Sequence, residues 1–225
     1  MSESFLKLIS IEMKKDYYII GSGGFAKEVY FLADQCLDET NRFKGFIDYK
    51  PVNNFVHARG KRLPVIDEDL FLNNVDPNND INLYFGVGDP KLLNKLSKTF
   101  ENYLFPNLIH PTVIFDSSSV RFGKGNILTS GCILTVDIQI GSFNIFNLSS
   151  TIGHDVNIGD CNIFNPVTNI SGQVEIGSNN LFGVNSTVLQ LLTVGDNNIV
   201  GASSLLTKSI ENNSVMVGIP AKNRL

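Results

Sequence analysis

The sequence places its last histidine, His154, in the apolar stretch TIGHDVNIGD and directly before Asp155. A carboxylate beside an imidazole can fix the tautomer of the ring and raise its basicity. The pair could therefore act as a general base that removes a proton from an attacking nucleophile. Exposed His–Asp pairs also occur without any chemical role, so the interpretation depends on where the fold puts this stretch.

A second group of residues suits phosphate binding. In YYIIGSGGFAKEV, Gly21, Gly23 and Ala26 have the G-x-G-x-x-A spacing, after an apolar strand pattern and before a helical one. Glycines let the backbone approach a phosphate closely, and the N-terminus of a helix offers N–H groups without partners. We therefore predict a nucleotide-binding turn made of Gly21, Ser22, Gly23 and Gly24. A tight strand-to-helix turn without a ligand is the alternative.

Two further turns are candidates for the same site. Asp48 ends the strand pattern FKGFID, where an acidic side chain could accept hydrogen bonds from a ribose or a base. In GVGDPK, residues 86–91, Gly88 and Asp89 could hold a diphosphate or a sugar, although Asp89 could equally cap a helix that begins at Pro90. A dinucleotide enzyme needs two βαβαβ halves, whereas only about ninety residues precede the repeat described below. We therefore predict a nucleoside diphosphate and not NAD.

The elements that carry these residues fall into two parts. From residue 16 to 106, apolar strand patterns alternate with helical ones, which predicts a small Rossmann-like βαβ domain with a parallel sheet. Residues 1–15 are interpreted as a short leader, because their apolar patch is too short and too interrupted for a signal sequence. From residue 107 to 225 the helical periodicity is lost, and Val, Ile, Leu, Phe, Gly, Asn and Ser dominate.

The second part is a tandem hexapeptide repeat. Every sixth residue from Phe122 to Leu206 is apolar, and FGKGNI, IGSFNI, IGDCNI, IGSNNL and VGDNNI start 18 residues apart. This period predicts a triangular prism with three short strands per coil, an inward column of apolar side chains and about 4.8 Å between coils. Five asparagines should form a ladder at one corner, with left-handed backbone and paired amides: Asn126, Asn144, Asn162, Asn180 and Asn198.

The repeat gives His154 a structural context. It is the second residue after the inward Ile152, so its side chain should point outward near a corner of the prism. Gly172 occupies the same place one coil later, about 4.8 Å along the axis. Its backbone N–H could stabilise an oxygen that gains negative charge while His154 removes a proton, which is the chemistry of acyl transfer to an amine.

Composition argues against several classes of protein. The formal net charge is −4 and no basic cluster is present, which is not typical of a nucleic-acid-binding protein. No apolar run reaches the roughly 18 residues of a membrane span. Cys36, Cys132 and Cys161 lack disulfide or metal-type spacing, so we expect a reducing compartment, by default the cytoplasm. The repeat contains a single histidine, whereas a zinc hydratase of this architecture needs three, so we predict no metal.

The chain as a whole resembles a known family. Its uninterrupted hexapeptide pattern is similar to that of the left-handed β-helix acyltransferases. GSGGFAKEV, HPT, NLSSTIGHDVNIGD, SGQVEIG and VGIPAK together resemble the bacterial sugar N- and O-acyltransferases. This family includes acetyl-CoA-dependent enzymes that N-acetylate 4-amino-4,6-dideoxy nucleotide sugars, and sialic acid O-acetyltransferases. The resemblance implies a left-handed parallel β-helix and a homotrimer with active sites between subunits.

The resemblance also implies roles for single residues. His154 is expected to be the general base, assisted by Asp155, and Asn147 to contact the sugar amine. Coenzyme A is expected to contact three residues, of which the first binds the thioester carbonyl through its backbone and the others line a groove between subunits: Gly172, Val184 and Ala202. Many members have histidine, histidine and arginine at three positions where this sequence differs: Phe25, Ile163 and Leu93.

We therefore predict an acetyl-CoA-dependent N-acetyltransferase of surface polysaccharide biosynthesis. Its acceptor would be the C4 amine of a UDP- or dTDP-linked 4-amino-4,6-dideoxy sugar. The transfer would be direct, because no cysteine or serine is placed as an acyl carrier beside His154. Two alternatives stay open: O-acetylation of sialic acid or another sugar hydroxyl, and a non-catalytic β-helix protein that binds a nucleotide sugar.

Overall fold

The computed structural model describes residues 15–224, so the predicted leader lies outside the described residues except for Lys15, which begins the first strand. The N-terminal part contains eight elements: β1 (Lys15–Ile20), α1 (Gly24–Cys36), β2 (Asn41–Asp48), β3 (Phe55–Ala58), β4 (Lys61–Asp67), α2 (Glu68–Asn74), β5 (Ile81–Phe85) and α3 (Pro90–Thr99).

The five strands of this part form one sheet in the order β3-β4-β2-β1-β5. β1 pairs in parallel with β2 and β5, β2 pairs in parallel with β4, and β3 pairs antiparallel with β4. Ile19, Phe46 and Leu83 have no exposed surface, as expected for parallel strands covered on both faces. The predicted Rossmann-like fold is confirmed. Ligands of such sheets bind beyond the carboxyl ends of the strands where the strand order reverses, here between β1 and β5.

The C-terminal part is a solenoid of 18 short strands: β6 (Leu108–Ile109), β7 (Arg121–Phe122), β8 (Ile127–Leu128), β9 (Ile133–Leu134), β10 (Gln139–Ile140), β11 (Ile145–Phe146), β12 (Thr151–Ile152), β13 (Asn157–Ile158), β14 (Ile163–Phe164), β15 (Asn169–Ile170), β16 (Glu175–Ile176), β17 (Leu181–Phe182), β18 (Thr187–Val188), β19 (Thr193–Val194), β20 (Ile199–Val200), β21 (Leu205–Leu206), β22 (Val215–Val217) and β23 (Lys222–Asn223). Three sheets cover its faces: β19-β16-β13-β10-β7, β23-β22-β20-β17-β14-β11-β8-β6 and β21-β18-β15-β12-β9.

The inward apolar column predicted from the six-residue period is confirmed. Strands one coil apart pair in register, so that Ile140 lies opposite Phe122 on one side and Ile158 on the other. All fifteen column residues from Phe122 to Leu206 are buried except Phe122 itself, which is partly exposed. Three of them are phenylalanines whose rings stack with centroids 4.7 and 4.8 Å apart: Phe146, Phe164 and Phe182.

The asparagine ladder exists, but its predicted backbone conformation is wrong. The Asn144 backbone N–H donates to Asn126 Oδ1 at 2.8 Å, and the ladder side chains have no exposed surface. The left-handed backbone falls one residue earlier, at Phe143 with φ 61° and Cys161 with φ 57°. Because the chain turns the corner at that preceding residue, each asparagine can point its amide inward and form hydrogen bonds with backbone groups of the next coil.

The two parts pack against each other through a shared apolar cluster. The Phe85 ring lies 4.8 Å from the Phe105 ring and 5.5 Å from the Phe143 ring, between centroids. Nearby, Asn94 of α3 donates from Nδ2 to Asn179 Oδ1 of the solenoid at 2.8 Å. These contacts hold the carboxyl edge of the N-terminal sheet beside the solenoid.

Candidate active site

His154 and Asp155 lie at the corner between β12 and β13. Ile152 enters the core, and the His154 side chain two residues later is 58% exposed, which confirms that it points outward. His154 Nδ1 lies 2.7 Å from Asp155 Oδ2. In a neutral imidazole the carboxylate favours the tautomer in which Nδ1–H donates to it, and this tautomer has its lone pair on Nε2. The backbone of Asp155 is left-handed, φ 56°, a conformation that aspartate tolerates well.

Gly172 lies directly against this imidazole, as predicted from the 18-residue spacing. A Cβ added at Gly172 would come within 2.6 Å of His154 Nε2 and 2.7 Å of Cε1. Any side chain at this position would therefore displace the ring. Within residues 15–224, the Gly172 N–H donates to no protein acceptor, so it can donate to a ligand.

The glycine-rich turn connects β1 to α1 at the carboxyl edge of the sheet. Gly21 has a φ of +101°, and a Cβ there would lie 2.9 Å from Gly86 O. A Cβ at Gly86 would in turn lie 2.6 Å from Ala26, so helix and sheet approach as closely as the G-x-G-x-x-A spacing predicts. Gly23 and Gly24 have open space around their Cα atoms, and no side chain caps α1. The first N–H groups of α1 are thus available to a phosphate.

Asp48 lies between two cavities at the same edge. It accepts hydrogen bonds from Ser22 Oγ and from the Tyr49 backbone N–H, the latter at 2.9 Å. One cavity, of ≈ 410 Å³, has apolar walls from β1, β2, the β5–α3 turn and α3 and polar contributions from Asp48, Glu68 and Lys95. Burial raises the pKa of Glu68 there. The second cavity, of ≈ 320 Å³, lies on the other side of Asp48 and Tyr49, next to Ser22.

The second glycine turn, residues 86–91, both caps a helix and lines a pocket. The Asp89 carboxylate accepts from the Leu92 N–H at 2.8 Å and caps α3, which begins at Pro90. Its side chain therefore does what the helix-cap alternative predicted. Gly88 has open space around it and lines a pocket between the two parts of the chain.

This interdomain pocket, of ≈ 190 Å³, lies where the carboxyl edge of the N-terminal sheet meets the solenoid. It is lined by residues of α1, of the β5–α3 turn and of two successive coils: Phe25, Glu28, Gly88, Ile145, Asn147, Ile163 and Asn165. Of these, Gly88 and Asn147 were predicted site residues. Phe25 and Ile163 occupy two of the positions at which the resembled family often has histidine. Both contribute apolar wall to this pocket. Leu93, the third departure, is fully buried instead.

Sequence reasoning missed Glu28 and Asn165 as pocket residues. Asn165 follows Asn147 by one 18-residue period, so the repeat could have found it. Glu28 lies three residues after Phe25 and hence on the same side of α1, but only the docking of α1 on the solenoid shows that this side faces a pocket.

The predicted site residues of the solenoid form two separate groups within one chain. Asn147 follows β11, and Val184 and Ala202 follow β17 and β20 of the same sheet, so these three lie along one corner. His154 follows β12, on the neighbouring sheet, and lies at the next corner with Gly172. A face of the prism therefore separates the general-base candidate from the interdomain pocket.

Residues 15–224 contain neither a metal-binding cluster nor a membrane-spanning helix. No group of three or more His, Cys, Asp or Glu side chains is arranged to hold a metal ion. In the same range, no helix combines the length and the apolar character needed to span a bilayer.

Comparison with known proteins agrees with the architecture. The family model of the PglD N-terminal domain matches residues 16–100. A histidine-to-asparagine mutant of perosamine N-acetyltransferase from Caulobacter crescentus, in complex with CoA and GDP-perosamine, is 27% identical with a TM-score of 0.84; the match covers 93% of this chain and 97% of that chain. WeeI from Acinetobacter baumannii AYE is 26% identical with a TM-score of 0.81, over 93% and 99% of the two chains.

A more distant structure has the same fold. The acetyltransferase domain of PglB from Neisseria gonorrhoeae FA1090, in complex with acetyl coenzyme A, is 23% identical with a TM-score of 0.82, over 93% of this chain and 99% of that chain. No curated relative matches the sequence. The N-terminal family match and the shared two-part architecture confirm the resemblance: residues 16–100 match the PglD N-terminal domain, and the chain as a whole is similar to sugar acetyltransferases of this architecture.

Proposed function

We propose that the protein transfers an acetyl group from acetyl-CoA to the C4 amine of a nucleotide-linked 4-amino-4,6-dideoxy sugar. The protein is an acyltransferase, and the Caulobacter structure, which contains CoA and an amino-sugar nucleotide, supports this acceptor class. UDP and dTDP are the nucleotides that the sequence predicts, and the GDP of that relative adds a third candidate to be assayed.

The observation that carries the proposal is the arrangement of His154, Asp155 and Gly172. Asp155 holds the Nδ1 side of the imidazole at 2.7 Å, which leaves Nε2 to take a proton from the attacking amine. The nitrogen bonds to the thioester carbonyl carbon, the C–S bond breaks, and the proton held on Nε2 passes to the departing thiolate. The free N–H of Gly172 is placed to stabilise the carbonyl oxygen as it gains charge.

The N-terminal part is proposed to hold the nucleotide. The diphosphate would lie on the open glycines Gly23 and Gly24 at the start of α1. Asp48, between the two cavities, would accept hydrogen bonds from the ribose or the base. From there the sugar would extend into the interdomain pocket beside Gly88 and Asn147.

We further propose a homotrimer with active sites between subunits. Within one chain His154 and the Asn147 pocket occupy different corners, so a second subunit is needed to bring them together. Exposed apolar side chains on these corners and the face between them support contact with another copy: Ile133, Val136, Leu148 and Val184. Coenzyme A would then lie in the groove beside Val184 and Ala202.

The cytoplasm is the proposed location. Cys132 and Cys161 are buried free thiols, and Cys36 is a partly buried one. Unpaired cysteines of this kind fit a reducing compartment.

A thiol-release assay with acetyl-CoA tests the function. The acceptors are UDP-, dTDP- and GDP-linked 4-amino-4,6-dideoxyhexoses, with sialic acid as the O-acetylation control. We expect CoA release only with an amino sugar, and His154→Ala should lower kcat about 10²-fold or more. Near-normal turnover of that variant would refute the proposed base. Acetylation of sialic acid alone would favour the O-acyltransferase alternative.

Mixed oligomers test the placement of the site. His154→Ala and Asn147→Ala, each inactive alone, should regain about a quarter of wild-type activity when co-assembled at equal amounts, since a quarter of the sites between subunits then combine two intact corners. His154→Ala mixed with Asp155→Asn is the matched control and should regain none, because both residues lie at the same corner. No recovery in the first mixture would argue against sites between subunits.

A further inference from the structure

Only one of the seven residues that line the interdomain pocket carries a charge, and that is Glu28. Within residues 15–224, its carboxylate has no Lys, Arg or His partner within ion-pair distance. Phe25, Ile145 and Ile163 form apolar wall of the pocket. Glu28 itself is exposed, so its carboxylate faces solvent as well as the pocket, and its attraction for a bound cation is that of a partly solvated group.

The two asparagines of the pocket offer opposite groups to a ligand. Asn147 Oδ1 already accepts from the Leu148 N–H at 2.8 Å, so its NH₂ group is the part left to bind a ligand. Asn165 donates from Nδ2 to Phe182 O at 3.0 Å, so its Oδ1 is the part left. Asn147 therefore presents a donor, which suits a hydroxyl or carbonyl oxygen of a ligand, and Asn165 presents an acceptor.

A sugar ammonium group has three N–H donors and needs acceptors. Among the side chains that line this pocket, the acceptors that take part in no hydrogen bond are the Glu28 carboxylate and Asn165 Oδ1. We infer that Glu28 binds the ammonium group of the acceptor sugar and so selects an amine over a hydroxyl. The inference rests on the proposed function and names a specificity-determining residue for it.

Glu28 also fits the proton transfer that follows. Before the attack the ammonium group releases one proton to solvent, and the neutral amine that remains has two N–H bonds, of which His154 takes the proton of one during the transfer. The other can stay directed to Glu28 while the lone pair of the nitrogen faces the thioester. The carboxylate thus binds the amine equally before and during the transfer without itself taking the proton, which leaves that task to the imidazole of His154.

Binding without acetyl-CoA tests the inference. The probes are UDP-, dTDP- and GDP-linked 4-amino-4,6-dideoxyhexoses, each paired with the 6-deoxyhexose that carries a hydroxyl in place of the amine. Calorimetry is done on the wild type, on Glu28→Gln and on Lys27→Gln, a neighbouring exposed charge outside the pocket. For the nucleotide that binds best, the wild type should prefer the amino sugar about tenfold, the discrimination expected for one charged hydrogen bond at a partly solvated site.

Glu28→Gln should lose this preference, bind the hydroxyl compound as the wild type does, and show a raised KM with kcat within about threefold in the acetylation assay. Lys27→Gln should behave as the wild type. A preference that survives in Glu28→Gln, or a wild type that binds amine and hydroxyl equally, would overturn the inference and leave the proposed function standing. Binding of none of the six compounds would overturn both.

Discussion

Replacement of Gly172 by alanine is the sharpest test of the catalytic geometry. The new Cβ would lie 2.6 Å from His154 Nε2, whereas ordinary contact begins at 3.4 Å, so the imidazole must move by 3.4 − 2.6 = 0.8 Å or swing out into solvent. The ring is half exposed and free to do so. A displacement of about 1 Å in a catalytic group costs roughly 10²-fold in rate, or about 2.7 kcal/mol of activation free energy. We therefore expect kcat to fall about 10²-fold.

The fold should tolerate the same change. The φ of Gly172 lies outside the left-handed region, so alanine adds no backbone strain, and the backbone N–H is kept. We expect the free energy of unfolding to change by less than about 0.5 kcal/mol, as for most surface substitutions. The dissociation constant of the nucleotide sugar should also stay unchanged, because Gly172 lies outside the interdomain pocket.

The assay is thiol release with acetyl-CoA, combined with urea unfolding. The matched control is Ser171→Ala, which alters the preceding residue without adding an atom near the imidazole. A double-mutant cycle identifies the cause: if Gly172 acts through His154, Gly172→Ala should lower the kcat of His154→Ala no further. A Gly172→Ala enzyme with kcat within threefold of wild type would refute the reasoning, as would full additivity of the two losses.

Three further predictions follow from other parts of the structure. Asp155→Asn keeps a residue type that tolerates the left-handed backbone but replaces the carboxylate beside Nδ1 with a neutral amide, so the imidazole loses basicity and a fixed tautomer, and kcat should fall roughly 10- to 100-fold. An unchanged kcat would show that the charge of Asp155 has no part in the reaction. Asp48→Asn should weaken binding of the nucleoside diphosphate about tenfold by calorimetry, and equal affinity would place the nucleotide elsewhere. Phe164→Ala should lower the free energy of unfolding, measured by urea denaturation, by about 3–5 kcal/mol, because it opens a cavity between the rings of Phe146 and Phe182. A loss below about 1 kcal/mol would mean that the neighbouring side chains collapse into the cavity.

The sequence by itself determined the architecture and the placement of His154. A strict six-residue apolar period can be satisfied only if every sixth side chain enters one continuous core, so the prism, the outward direction of His154 and its neighbour Gly172 follow from counting along the chain. The glycine-rich turn was equally readable, because its backbone conformation and its close helix packing demand small residues. The asparagine ladder was found for the same reason, although its left-handed backbone was assigned one residue too late.

Only the tertiary structure decided how the two parts meet. The interdomain pocket depends on the docking of α1 against the corner after β11, and that docking is fixed by contacts among residues far apart in sequence, such as Phe85, Phe105 and Phe143. No repeat spacing relates these positions, so the sequence could not predict that Glu28 and Asn147 line the same pocket. The sequence also left two roles open for Asp89, a ligand contact or a helix cap. Its hydrogen bond to the Leu92 N–H shows that it caps α3. A repeated structure can be predicted from the spacing of residues along the chain. A contact between two unrelated surfaces depends on how their shapes fit in three dimensions, which that spacing does not show.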